Sequence, residues 1–368
     1  MIVYYEDSIL SYIASIRSYF GLNSSYKQNT KFSDYINYIN PRKIVLFLVD
    51  GLGANFVWKK LDDQDFLKDH MKFKTSTVFP SATTAATTSI RTGKSPCENA
   101  WIGWSQYFKE YNDQIICFRN KGFYSEKIYD EDVGHKLLPV QYIEDELNDK
   151  GIKAKTVFPS FIKGGSEDIN GICNQTLAAV NKDECRFVYA YWDKYDSYMH
   201  EHGPNSKICD AYLKHINYEL ENLSNKLPDD TLLVVTGDHG QVEVHEEINL
   251  CGSKYEKYFR LKPCLEPRAY TFYIKEGMAQ DFEVEFKNEF EDKFILLSHE
   301  QVLDTKLFGD RDLHPKFEEY IGEYLAIAKT NSIFAYKENY VEPFKGQHGG
   351  MMDDEMMIPI IVNKKIPL

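Results

Sequence analysis

Short apolar runs that end near an acidic residue constrain the fold of this chain more than any other feature of its sequence. Continuous apolar strands are typically buried on both faces of a parallel sheet, and the loops at the carboxyl ends of such strands converge on one crevice. The sequence therefore predicts an open sheet that gathers distant acidic residues at one edge. Three such runs, at 43–49, 186–192 and 231–236, lead within four residues to Asp50, Asp196 and Asp238.

Helical patterns alternate with apolar strands along the first two thirds of the chain. This alternation indicates an α/β fold with a mostly parallel sheet flanked by helices. Further strands are predicted at 74–79, 115–118 and 155–158, and helices at 7–20, 32–39, 83–91, 141–150, 171–180 and 207–225.

The pattern changes after about residue 260. Two short strands, at 270–274 and 294–298, flank an acidic helical stretch at 279–292, and a short helix follows at 300–307. We interpret 262–330 as a small inserted α+β cap subdomain. Residues 1–261 and 331–368 then form the core.

Composition narrows the possible partners and compartments. The 368 residues suffice for one large core with a smaller subdomain, and the net charge of -13 argues against a long nucleic acid as partner. Seven cysteines without a C-x-x-C pair fit a reducing compartment. The first twenty residues lack a signal-peptide pattern, and the apolar run at 44–49 is too short to span a bilayer. We therefore expect a cytoplasmic protein that does not enter a membrane.

Histidines accompany two of the acidic strand ends. Asp238 and His239 are adjacent in a glycine-flanked turn, while Asp196 and His200 are four apart and meet on one helical turn. Carboxylate oxygens and imidazole nitrogens together suit zinc. His348 lies in a glycine-rich loop. Three alternatives remain open: Asp50 is a helix cap or turn residue, or Asp193 or His202 competes as a ligand.

A threonine-rich run begins at Thr83, after Phe79, Pro80 and Ser81. A hydroxyl at a helix start lies among free backbone N–H groups and at the positive end of the helix dipole, which favours phosphate. A metal ion can ionise such a hydroxyl and make it a nucleophile. The alternative is that it only caps the helix.

Taken together, these motifs resemble those of the alkaline phosphatase superfamily, and most of all its type I phosphodiesterase and nucleotide pyrophosphatase branch. The matching pieces follow the order of that family over almost the whole chain. They are L-V-D-G-L-G at 48–53, P-S-A-T-T at 80–84 with T-G at 92–93, D-x-x-x-H-x-x-G-P at 196–204, T-G-D-H-G at 236–240 and H-G at 348–349.

The resemblance implies an alkaline-phosphatase-like core and two divalent metal ions, with zinc as the expected metal. The nucleophile of the family precedes the T-G threonine by nine positions, which is Thr83 here, with Thr84 as runner-up. One ion is expected on Asp196, His200 and His348, and the other on Asp50, Asp238 and His239, next to the nucleophile.

Two positions depart from the pattern of the family. The phosphodiesterases have Phe, Pro and Asn after the nucleophile, whereas Phe79 and Pro80 precede Thr83 here. The family also carries a phosphate-binding Asn twelve positions after the T-G threonine, where this chain has Trp104. The Trp104 indole N–H can donate in its place. Alternatively, Trp104 is a core or pocket-wall aromatic.

The expected function is hydrolysis of a phosphodiester or nucleotide pyrophosphate bond through a phosphothreonine intermediate, on a small phosphorylated substrate such as a nucleotide. The alternative on the same fold is a phosphomonoesterase or phosphonate hydrolase, which favours an added cation near phosphorus. Arg91, Lys94 and Lys163 are the candidates for that cation. A sulfatase is disfavoured because Ser95, Pro96 and Cys97 do not form its motif. A non-catalytic binding module is a further alternative, and the sequence leaves the oligomeric state open.

Overall fold

A computed structural model describes residues 3–182, 184–339 and 341–364. Its strands are β1 Lys43–Val49, β2 Met71–Ser76, β3 Ser105–Phe108, β4 Asp113–Ile116, β5 Lys121–Gly122, β6 Lys153–Val157, β7 Cys185–Trp192, β8 Thr231–Thr236, β9 Val242–Glu243, β10 Glu246–Asn249, β11 Phe259–Glu266, β12 Ala269–Ile274, β13 Phe294–Ser298, β14 Tyr324–Ala328, β15 Ser332–Ala335, β16 Gly346–Gln347 and β17 Met357–Asn363.

The α-helices lie between these strands and vary from one turn to twenty residues in length. They are α1 Ile9–Tyr19, α2 Thr30–Ile39, α3 Ala54–Lys60, α4 Phe66–Asp69, α5 Thr83–Thr92, α6 Pro96–Asn99, α7 Val133–Leu137, α8 Ile143–Asp149, α9 Ile169–Val180, α10 Lys194–His202, α11 Lys207–Lys226, α12 Ala279–Phe290, α13 His299–Thr305 and α14 Asp353–Met356. In the part of the chain that the model describes, no helix combines the length and apolar character needed to cross a bilayer.

The central sheet has six strands in the order β2-β17-β8-β1-β7-β6. Strands β8, β1, β7 and β6 run parallel, and β17 is antiparallel to both of its neighbours. The predicted α/β fold with a mostly parallel sheet is therefore confirmed.

Burial of the central strand on both faces explains its continuous apolar sequence. Ile44, Leu46 and Leu48 of β1 face a core that includes residues of α1, α2, α5 and α8. The alternate residues of β1 face a second core, built with residues of α3, α9, α10 and α11. Because successive side chains of a strand point to opposite faces, both sets must be apolar.

A second, antiparallel sheet has the order β13-β14-β12-β11-β3-β4-β5. The strands and the helix predicted at 270–298 appear in it, or packed on it, as β12, α12 and β13, and their core is rich in phenylalanine. The segment 262–330 shares this sheet with strands from 105–122, a connection that the sequence patterns did not predict. Its description as a cap subdomain stays a prediction.

Two predicted strands are displaced. The strand predicted at 74–79 is β2, which ends at Ser76 because its partner β17 begins at Met357, directly opposite. The strand predicted at 115–118 is β4, and it joins the second sheet instead of the central one.

Candidate metal centre

The carboxyl ends of three neighbouring strands bring the predicted ligands together. Strand β1 lies between β8 and β7, with Leu48 level with Thr236 and Val49 level with Trp192. The chain leaves all three strands at the same edge of the sheet. Asp50 follows β1, Asp238 and His239 follow β8, and Asp196 and His200 lie on α10, directly after β7.

Asp50, Asp238 and His239 form a buried group whose ligand atoms lie within 4.8 Å of one another. His239 Nε2 is 3.4 Å from Asp50 Oδ1 and 3.6 Å from Asp238 Oδ2. The other ring nitrogen of His239, Nδ1, lies 2.9 Å from the Gly240 carbonyl oxygen. A donor bond from Nδ1 leaves Nε2 as the free nitrogen that faces the carboxylates.

The hydrogen bonding of Asp238 indicates that these three side chains suit a bound cation. Its Oδ1 accepts hydrogen bonds from the backbone N–H of Gly51, at 3.1 Å, and of His239, at 3.0 Å. Its Oδ2 is sealed from solvent and has no hydrogen-bond partner among the described residues. An unpaired, buried carboxylate oxygen is costly, and a divalent ion is the partner that its neighbours suggest.

Thr83 opens α5 beside this group. Its Oγ1 lies 3.1 Å from His239 Nε2 and 3.5 Å from Asp50 Oδ1. The hydroxyl of Thr84, the alternative nucleophile, is fully buried and has no hydrogen-bond partner in the described chain. The geometry therefore favours Thr83 as the group that reaches a substrate.

Asp196 links the remaining histidines. Its Oδ2 is 3.1 Å from His200 Nε2, and its Oδ1 is 3.8 Å from His348 Nε2. The outer nitrogens of the two rings face backbone carbonyl oxygens, that of Gly346 at 2.8 Å and that of Ser81 at 3.0 Å. The six predicted ligands thus lie in one site.

His239 stands between the two predicted sets. The second group of converging ligand atoms consists of Asp196, His239 and His348, again within 4.8 Å of one another, and the rings of His239 and His348 stack with centroids 3.8 Å apart. His200 joins through Asp196 and lies 5.1 Å, ring centre to ring centre, from His348. The competing candidates Asp193 and His202 belong to neither group.

Burial and neighbouring charges shift the pKa values of these side chains towards their neutral forms. Burial raises the pKa of Asp50 well above its usual range, and the charge of Asp238 raises it further. Burial also raises the pKa of Asp238, although the charge of His239 opposes this. Burial lowers the pKa of His348, and His239 lowers it further. A divalent cation relieves these effects because it favours ionised carboxylates and neutral imidazoles.

Asp196 and His200 form an ion pair that favours their charged forms although both side chains are largely buried. Burial favours the neutral forms of both, yet the attraction between them outweighs it. The pKa of Asp196 is therefore lowered by His200, and the pKa of His200 is raised by Asp196.

Sequence patterns missed several residues that support the ligands. Tyr191 donates a hydrogen bond to Asp50 Oδ2, and Gln241 donates one to Asp196 Oδ1. Tyr191 belongs to an apolar run and therefore resembles a core residue. Gln241 directly follows the glycine-flanked Asp-His turn, which is the one signal that pointed to it.

Ser81 ties the loop before Thr83 to the loop of His348. Its carbonyl oxygen faces His348 Nδ1, and its hydroxyl accepts from the Gly349 N–H at 3.2 Å and donates to the Gly350 carbonyl at 2.8 Å. Ser81 is fully buried. The last predicted ligand is therefore held by the segment that presents the nucleophile.

We expect Ser81→Ala to weaken metal binding by about 10- to 100-fold, the usual effect of losing a partner that orients a ligand. The physical reason is that the backbone groups of Gly349 and Gly350 lose their buried partner. Competition with a chromophoric chelator measures this affinity. Ser11→Ala is the matched control, because Ser11 is also buried and its hydroxyl donates to the nearby Ser8 carbonyl oxygen, far from the ligand loops in sequence. Equal affinities in the two variants would contradict the assigned role of Ser81.

Trp104 lies just before β3 and is partly buried. Its backbone N–H donates to Glu266 Oε1 at 2.6 Å, and the Arg119 guanidinium lies 5.2 Å from its ring centre. Its indole N–H has no hydrogen-bond acceptor in the described ranges. The group is thus free to donate to a ligand.

The predicted extra cations are placed differently. Arg91 binds Glu144 through its Nε at 3.0 Å and stacks on Tyr142 at 3.5 Å, so its charge is already paired. Lys94 and Lys163 are exposed.

A model of the type I phosphodiesterase / nucleotide pyrophosphatase family matches residues 124–351, more than half of the chain. The chain belongs to this family. The resemblance inferred from the motifs is thereby confirmed. The matched segment contains five of the six predicted metal ligands, while Asp50 and Thr83 precede it.

Solved structures of low sequence identity share the fold. The murine ectonucleotide pyrophosphatase/phosphodiesterase 5 superposes with a TM-score of 0.68 at 15% identity, over 88% of each chain. An inactive variant of it in complex with AMP gives 0.65 at 15% identity, over 87% of each. Phosphonoacetate hydrolase from Sinorhizobium meliloti 1021, in complex with phosphonoformate, gives 0.66 at 16% identity, over 89% of this chain and 91% of the other.

A curated relative matches only a short stretch. The catalytic subunit of the human GPI ethanolamine phosphate transferase 3 is 32% identical over 84 residues. This stretch covers 23% of the present chain and 8% of the relative. The family and the fold support a phosphoryl hydrolase of the phosphodiesterase and pyrophosphatase type.

Proposed function

We propose that this protein cleaves a phosphodiester or nucleotide pyrophosphate bond at a site for two divalent metal ions, through a phosphothreonine formed on Thr83. The observation that carries the proposal is the position of the Thr83 hydroxyl, 3.1 Å from His239 Nε2 and 3.5 Å from Asp50 Oδ1. A nucleophile placed beside a cluster of metal-ligand side chains is what phosphoryl transfer to a hydroxyl requires.

The six ligand residues divide into two sets. In our proposal Asp50, Asp238 and His239 hold one ion, and Asp196, His200 and His348 hold the other. The mixture of carboxylates and imidazoles favours zinc. The sealed, unpaired Oδ2 of Asp238 supports an ion in the first set. Bound divalent ions would favour the ionised Thr83 hydroxyl and offset the charge on the phosphoryl oxygens.

The residues of the chain then contribute by holding the reacting groups and the metal ligands in place. Thr83 Oγ1 attacks phosphorus and forms a new P–O bond as the bond to the leaving oxygen breaks. Water cleaves the phosphothreonine ester in a second displacement, which releases the phosphate monoester that keeps the other substituent and restores the hydroxyl. Tyr191 and Gln241 hold Asp50 and Asp196 in place through their hydrogen bonds. Such preorganisation supplies much of the rate enhancement in phosphoryl transfer.

Charge near the site favours a diester over a monoester. A monoester carries more negative charge and benefits from an added cation near phosphorus, but the charge of Arg91 is already paired with Glu144. A phosphomonoesterase or phosphonate hydrolase is the second candidate, because phosphonoacetate hydrolase shares the fold and its structure holds phosphonoformate. We also propose a cytoplasmic location, since all seven cysteines are free and six of them are buried.

Matched chromogenic esters test the proposal. The protein is stripped of metal, reloaded with zinc and assayed with bis-p-nitrophenyl phosphate, p-nitrophenyl phosphate and phosphonoacetate. We expect kcat/KM for the diester to exceed that for the monoester by about tenfold or more, equivalent to about 1.4 kcal/mol of transition-state stabilisation. A preference for the monoester or the phosphonate would support the second candidate. Bound zinc without turnover of any ester would support a binding module.

Trp104 is proposed to contact a phosphoryl oxygen through its indole N–H. We expect Trp104→Phe to keep the metal content and to lower kcat/KM by an amount equivalent to about 1–3 kcal/mol, the usual cost of losing a hydrogen bond to a charged group. Steady-state kinetics on the diester measure this loss. Trp58→Phe is the control, because Trp58 is 62% exposed on α3. If Trp104→Phe changes only the melting temperature, Trp104 is a packing residue.

A further inference from the structure

Glu266 is a buried carboxylate that the proposed chemistry does not use. It ends β11 and is only 3% exposed. Its Oε1 accepts the backbone N–H of Trp104 at 2.6 Å. Its Oε2 has no hydrogen-bond partner in the described part of the chain, yet it is not among the unpaired atoms that are sealed from solvent. This oxygen is therefore open to a ligand.

Glu266 lies on the His348 side of the metal centre. A Cβ atom at Gly349, the residue after His348, would come within 2.9 Å of Glu266 Cβ and 3.7 Å of its Oε2. Burial raises the pKa of Glu266 to about 8, the bond from Trp104 and the charge of His200 oppose this, and Asp196 adds to it. The charges of His200 and Asp196 thus act on this carboxylate, and a cationic or hydrogen-bond-donating ligand at Oε2 would favour its ionised form.

Two cationic side chains near Glu266, those of Arg268 and Arg119, contact other groups. Arg268, two residues further on, binds both oxygens of Glu355 at 2.8 and 2.9 Å. The Arg119 guanidinium lies over the Trp104 ring. An ionised Glu266 therefore has no cationic partner among these residues, and buried charges are normally paired or hydrogen-bonded.

We propose that Glu266 binds a hydrogen-bond donor, an ammonium or a hydroxyl group, on the part of the substrate that lies on the Asp196, His200 and His348 side of phosphorus. This rests on the proposed function and narrows its substrate class to phosphate esters of amino or hydroxy alcohols. Glu266 selects the substrate and takes no part in bond breaking.

Three isosteric ligands separate this interaction from phosphate binding. They are 2-aminoethyl phosphate, 2-hydroxyethyl phosphate and propyl phosphate, titrated calorimetrically into the zinc-loaded protein. We expect the amino compound to bind at least about tenfold more tightly than the propyl compound, with the hydroxy compound between them, because hydrogen bonds to charged groups have large effects.

The variant Glu266→Gln tests the cause of that preference. Its amide oxygen can still accept from Trp104, but the negative charge is gone. We expect the ratio of Kd values between the propyl and amino compounds to fall to about one. The control is Glu219→Gln, a buried carboxylate on α11 that accepts a hydrogen bond from Asn170 and should keep the ratio of the wild type.

Two results would overturn the inference. One is equal binding of the three ligands, or no binding, in the wild-type protein, a result that does not depend on how any variant folds. The other is a ratio that Glu266→Gln leaves unchanged. Either result in a protein that hydrolyses diesters leaves the proposed function intact. A clear preference in a protein without turnover would instead reject the proposed reaction and keep the ligand site.

Discussion

Thr83→Ala is expected to lose turnover by roughly 10⁴-fold or more while keeping its metal content, because removal of a nucleophile leaves only binding and charge stabilisation. The Thr83 hydroxyl is the one that lies beside His239 and Asp50, and the substitution removes no predicted metal ligand. Initial rates with the diester and elemental analysis of the purified variant measure the two effects. Acid quenching during turnover should trap the phosphoryl group, with its remaining ester substituent, on the wild-type protein and none on the variant.

Thr84→Ala is the matched control for that experiment. The Thr84 hydroxyl is sealed and unpaired, so its removal should affect packing and leave kcat largely unchanged. If Thr84→Ala is inactive while Thr83→Ala is active, the nucleophile is assigned one residue too early. If both variants turn over normally, the covalent route is wrong.

Removal of metal should abolish activity, and added zinc should restore it. Asp50 and Asp238 are both buried, burial raises the pKa of each, and the charge of Asp238 raises that of Asp50 further; a divalent ion offsets these effects. A ligand at 100 times its Kd stabilises the folded state by about 2.7 kcal/mol, so the melting temperature should rise with zinc. Full activity in a verified metal-free sample would refute the mechanism.

A pair of aspartate variants separates the metal effect from a general loss of charge. Asp238→Asn changes a fully buried carboxylate in the first ligand group, and it should lower both zinc affinity and activity. Asp210→Asn changes a partly exposed carboxylate on α11 that pairs with Lys60 of α3. We expect the second variant to keep its activity, because partly exposed ion pairs contribute little.

Two strands with a continuous apolar run were predicted with the correct first and last residues. Strand β1 begins and ends at Lys43 and Val49, and β8 at Thr231 and Thr236, as their apolar runs indicated. Such runs are long enough to be buried on both faces, and polar residues limit them on either side. Asp50 and Asp238 follow directly, so the ends of these strands predicted the part of the site that they carry.

Other parts of the site depend on contacts that no local pattern encodes. His348 lies in a loop without a strand before it that the patterns recognise, and only the order of motifs in the family pointed to it. Glu266 ends a strand in a segment that we interpreted as a cap, and its burial against Gly349 follows from the tertiary fold. Strands β3 to β5 are short, and the pairing of β3 with β11 joins Ser105 to Leu265, which are far apart in sequence, so local periodicity does not report it.

The position of β17 determines when the central sheet can be completed during synthesis. This strand lies between β2 and β8, so a nascent chain that ends before Met357 lacks an interior strand of its central sheet. His348 precedes β17 by nine residues and is anchored to Ser81, which belongs to the first quarter of the sequence. A nascent polypeptide that has not yet reached His348 therefore lacks one of the six predicted metal ligands. The proposed hydrolysis requires that β17 has been made and inserted, so shorter nascent chains would leave phosphate esters intact.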